Sequence, residues 1–151
     1  MTPDAPDAHP YLRAATAGLR HHARSLSAHD AASASADRAH LDALHAHVIA
    51  LHQLVDTVAT TIRTPHPAAA RQVTAAHTRL WQSAAAVHDA FHLLPGPTDQ
   101  PTSCRPERVP EGPPFLTICQ RHLAAVHRVR RSTTPSDLTD PPPGHATICA
   151  R

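Results

Sequence analysis

A chain of 151 residues has the length of one domain, and a formal charge of +2 is too near neutral to mark the whole molecule as a partner for a polyanion. Trp81, Tyr11, Phe91 and Phe115 are the whole aromatic supply, so Leu, Val, Ile and Ala must build the interior, which favours helix over sheet. Cys104, Cys119 and Cys149 stand far apart with no CxxC pair, so neither a disulfide framework nor a zinc ribbon is suggested and a reducing cytoplasm fits.

The first nine residues carry Asp4, Asp7 and prolines instead of a basic and then apolar run, so they read as a flexible N-terminus and not as a signal peptide. The first helix is predicted from Pro10 to Ser27, with Pro10 suited to a first-turn position and Leu12, Ala15, Leu19, Ala23 and Leu26 on one face. The second is predicted from Ser35, as N-cap, to Arg63. Its stripe, Leu41, Leu44, Val48, Leu51, Val55, Val58 and Ile62, alternates spacings of three and four, which only an α-helix places on one side.

Thr64-Pro65-His66-Pro67 is too short to do more than reverse the chain. The third helix therefore runs antiparallel to the second, with Val73, His77, Leu80, Ala84, Val87, Phe91 and Leu94 facing inward and Pro95-Gly96-Pro97 ending it. A proline-rich crossover loop spans Pro95 to Pro114, and a fourth helix is predicted from near Pro113, using Phe115, Ile118, Cys119, Leu123, Val126 and Val129 and ending in Arg128, Arg130 and Arg131. Residues 132–151 read as a disordered tail. The expected fold is all-α: an antiparallel four-helix bundle over residues 10–131 built on a long central helical hairpin.

Fifteen histidines raise the question of a metal. His88 and His92 stand four apart on one helical face, and Cys119 and His122 stand three apart on the next helix. Folding the hairpin about its prolines sets His88 and His92 level with roughly positions 43 and 39, beside His40. A second reflection brings His21 and His22 to the same level, so one layer is predicted to hold His22, His40, His88 and His92, with Cys119 and His122 nearby. His77, inside the apolar stripe, reads as a partly buried ring bonded to a neighbour.

Other chemistries leave less trace. A hemerythrin-like di-iron arrangement fails on register, because His52 falls level with about position 79 and not with His88. Glu107 and Glu111, the only glutamates, both sit in the crossover loop, which removes a ferritin-like site. The arginines of the fourth helix match dipole complementation without a helix-turn-helix spacing, so neither nucleic acid nor a membrane is expected as a partner. The segment His9-Pro10-Tyr11-Leu12-Arg13-Ala14-Ala15-Thr16, with the overall residue usage, resembles small helical proteins of unknown function from high-GC actinomycetes. That resemblance implies a bacterial cytoplasmic origin and no particular activity, ligand or site.

The favoured reading is a non-enzymatic bundle, without a cofactor, that works by contact with another protein or with its own copy. Ile49 and Leu54 are expected to flank the stripe and widen an exposed strip for that contact. The alternative is a bundle whose histidine-rich layer holds zinc or another transition metal.

Overall fold

A computed structural model describes residues 8–28, 38–94 and 117–132, with side chains described up to residue 129. The described residues form four helices, α1 (Pro10–Ala28), α2 (Arg38–Ile62), α3 (Pro67–Leu93) and α4 (Ile118–Ser132), and no strand. The Ser35 cap, the crossover loop, Phe115 and the tail beyond Ser132 lie outside the described residues. Two compact units divide the chain, residues 1–36 and 37–151. The first contributes α1, on which Leu12, Leu19 and Leu26 recur every seventh residue and are exposed.

In the second unit α2, α3 and α4 pack on one another. The α2–α3 bend is held by the His66 amide donating to Ile62 O at 2.9 Å and the Ala70 amide donating to His66 O at 2.9 Å. His66 is the N-cap and Pro67 opens α3, where its missing amide costs nothing. Leu94 closes α3 in an extended conformation (φ −73°, ψ 143°), as the ring of a following proline requires. Helix α4 rises alongside α2 in the same direction, because Arg121 meets Asp42, His122 meets His45, and Ala125 shares a cluster with Ile49.

The interior differs from the predicted leucine stripe. Leu44, Leu51 and Val58 are exposed, and the buried face of α2 is turned by one residue to His45, Ile49, His52 and Ala59. Both series obey three-four spacing, so periodicity alone does not choose between them. On α3 the buried set Ala70, His77, Ala84 and Phe91 follows a seven-residue interval, joined by Thr78 and His88. Thr78 satisfies its buried hydroxyl by donating to Thr74 O at 3.2 Å. Ala59, Ala70, Ala84 and Ala125 are the small residues buried in the same unit.

Ile49, predicted to be exposed, is instead 4% exposed in a cluster with Ala84 and Ala125, against which Val48 and Trp81 pack. Leu54 is exposed as expected, at 44%. Leu123, predicted to face inward, is exposed. The described part of α4 begins at Ile118, the expected start near Pro113 lying outside the described residues, and a contact from α2 holds the residue before it. The Thr117 amide donates to Asp42 Oδ1 at 3.1 Å, while Thr117 O accepts from the Arg121 amide at 3.0 Å.

Candidate metal centre

Arg121 holds α4 against α2. Its Nη1 donates to Asp42 O at 3.1 Å and its Nη2 donates to Thr117 Oγ1 at 2.8 Å. The same Nη2 lies 3.4 Å from Asp42 Oδ1, an ion pair with both side chains largely covered. Such a partly desolvated, multiply bonded pair fixes geometry better than an exposed one. With α4 set in this register, Cys119 faces the end of α3.

There His92 Nε2 lies 3.3 Å from His88 Nε2 and 3.3 Å from Cys119 Sγ. All three ligand atoms fall within 4.8 Å of one another, the one such group of His, Cys, Asp or Glu among the described residues. A tetrahedral zinc ion with bonds of about 2.05 Å to nitrogen and 2.3 Å to sulfur sets its ligand atoms roughly 3.3 to 3.6 Å apart. The His88–His92 separation has the nitrogen–nitrogen length, and the His92–Cys119 separation is slightly shorter than the nitrogen–sulfur one. On the far side of the His88 ring, Nδ1 lies 3.6 Å from Asp89 Oδ1, so a carboxylate faces the nitrogen that does not point into the group. Metal-ligating histidines commonly have such a partner, which orients the ring.

Around these groups runs a tier of rings. His122 is stacked on His88 (centroids 4.1 Å apart, planes 9° apart) on one side and on Trp81 (5.0 Å, 16°) on the other. His45 sits 5.7 Å from His122 and 6.4 Å from His88. Removal from water holds the His45 and His122 rings down at about pKa 4; Arg121 adds to this for His45, and His88 for His122. Burial also lowers His88, with His92 next in effect. These rings are therefore neutral at pH 7, the form that offers a nitrogen lone pair.

Each predicted ligand can now be placed. His88 is buried and His92 half-buried in the convergent group, and Cys119 completes it. His40 is half-buried on α2 outside the group, and His22 is exposed on α1 in the first unit. The Asp42–Arg121 clamp, the buried position of His45 and the place of Asp89 have no short-range signature. They bring together residues 79 apart or depend on which face of α2 turns inward.

Over residues 1–148 the chain matches a family of unknown function, DUF6238, and belongs to it. No curated protein and no solved structure gives a match.

Proposed function

We propose that this protein binds a divalent transition metal, zinc in the first instance, through His88, His92 and Cys119, and that it does so as a binder and not as an enzyme. The observation that carries this reading is the convergence of two imidazole nitrogens and one thiol, drawn from two helices, all within 4.8 Å of one another and with two of the three separations at 3.3 Å. Mixed nitrogen and sulfur donors favour zinc, copper or iron over magnesium or calcium. A reducing compartment, supported by the cysteine usage, keeps Cys119 reduced and able to ligate.

Elemental analysis of protein purified without an affinity tag tests the reading. One zinc or other transition metal per chain is expected, lost in His92→Ala and in Cys119→Ser. A cobalt(II) titration of the wild type should show a sulfur-to-metal charge-transfer band that Cys119→Ser removes. Wild-type protein that neither retains metal nor takes up zinc at micromolar concentration overturns the proposal.

Self-association is a second reading, favoured by a row of exposed apolar residues on α2, Leu44, Leu51, Leu54 and Val58. Light scattering after size exclusion should then give a mass above 16.2 kDa, reduced by Leu54→Asp. A strict monomer of 16.2 kDa at high concentration rejects it.

A further inference from the structure

The three convergent ligands leave a fourth tetrahedral position, and its occupant decides what kind of site this is. Structural and storage sites are closed by four protein ligands, whereas a site with three keeps a position for water or substrate. Two buried ring nitrogens near the group have no hydrogen-bond partner: His122 Nδ1 and His45 Nε2. Leaving such an atom without a partner forfeits its hydration with nothing in return, so each calls for an explanation.

His45 is already committed. Arg121 Nη1 lies 3.2 Å from His45 Nδ1, and because a guanidinium only donates, that nitrogen must accept. The neutral ring then carries its proton on Nε2, and neither nitrogen has a lone pair to offer. His122 has no such tie at Nδ1. It stands three residues after Cys119 on α4, so the two project from the same side of that helix, and its ring lies against the ring of His88.

We infer that His122 is the fourth ligand: on metal binding its ring leaves the stack between His88 and Trp81, and Nδ1 closes a His3Cys site. The inference rests on the zinc reading above and deepens it, since it makes the centre a closed one with no position left for a substrate. It also gives the site a built-in reporter. Trp81 is the only tryptophan, and its stacking partner is the ring that moves.

Zinc chloride titrated into the metal-free full-length protein, with a competing chelator and Trp81 emission followed, tests this. The wild type should change its emission with a one-to-one endpoint. His122→Ala should bind zinc at least tenfold more weakly and lose most of the emission change. His122→Ala with wild-type affinity and a wild-type emission change overturns the fourth ligand while leaving the three-ligand site standing. A wild type that binds no zinc overturns both. Should His122→Ala fail to fold, histidine ring 15N shifts of the wild type decide. Nδ1 of His122 must shift on adding zinc together with the nitrogens of His88 and His92, and an unmoved His122 signal rejects the inference.

Discussion

Two tiers of buried histidine lie in the same helical unit, and they meet the cost of burial in different ways. In the tier formed by His45, His88, His92 and His122 three rings have a polar partner, Arg121 on His45, Asp89 beside His88 and Cys119 on His92, while His45 Nε2 and His122 Nδ1 have none. In the tier formed by His52 and His77 the rings stack on each other at 3.9 Å, and His52 has no hydrogen-bond partner at either buried nitrogen. His77 Nε2 has only a distant carboxylate, Asp56 Oδ1 at 4.0 Å. One residue type at equivalent positions of the hairpin thus serves as a candidate ligand in one place and as a flat space-filler in the other. The presence of a nearby thiol and of charges that orient the rings makes the difference.

Between the tiers lies Ile49, and a substitution there is expected to destroy both. Ile49→Asp puts a carboxylate among Ala84, Ala125, Val48 and Trp81 with nothing to pair it, at a cost of about 3 to 5 kcal/mol. Circular dichroism should show loss of cooperative thermal unfolding. A variant that melts like the wild type would mean that this cluster is not the core.

Acid should separate the tiers next. Burial, then the His77 ring, with Arg128 adding and Asp56 opposing, brings His52 down to about pKa 4 from 6.5. A base whose pKa is lower when folded binds fewer protons folded than unfolded in that window. Its contribution is complete above pH 6.5 and is lost as the pH falls towards 4, on the order of 3 kcal/mol. Urea midpoints measured in metal-free protein at pH 7.5, 6 and 4.5 should fall in that order, and His52→Leu should flatten part of the slope. Equal slopes in variant and wild type would show that His52 is charged, or exposed to water, in the native state.

The smallest effect is expected at Asp89, which is 80% exposed at its side chain and so heavily screened. Asp89→Asn should weaken zinc about tenfold or less while leaving the melting temperature nearly unchanged. His77→Ala is its counterpart in the other tier, with reduced stability and unaltered zinc content. Zinc loss in His77→Ala would erase the distinction between the tiers.

Much of this geometry is legible in the sequence. A bend at Pro65 and Pro67 sets His52 level with about position 79 and His88 level with about 43, and the rings meet His77 and His45, each within two residues. Helix spans came through for the same reason, since prolines and three-four spacing are local signals. The phase of α2 did not. Leu44, Leu51 and Val58 outrank His45, His52 and Ala59 on any scale of hydrophobicity, yet the rings of α2 find other rings to pack on, His45 beside His122 and His52 on His77. Cys119 was visible as half of an i, i+3 pair with His122, whereas its approach to His92 depends on the Asp42–Arg121 clamp, which no local pattern encodes.

That clamp and the proposed centre tie together stretches of chain far apart in sequence, since His92 and Cys119 are 27 residues apart. An ion shared by them would act as a staple across the intervening span, removing freedom from the unfolded chain much as a crosslink does. The entropy of closing such a span rises only with the logarithm of its length, by about 0.6 kcal/mol per doubling. Insertions between Leu94 and Thr117 should accordingly be tolerated, because the two anchored ends, and not the path between them, determine where the thiol arrives.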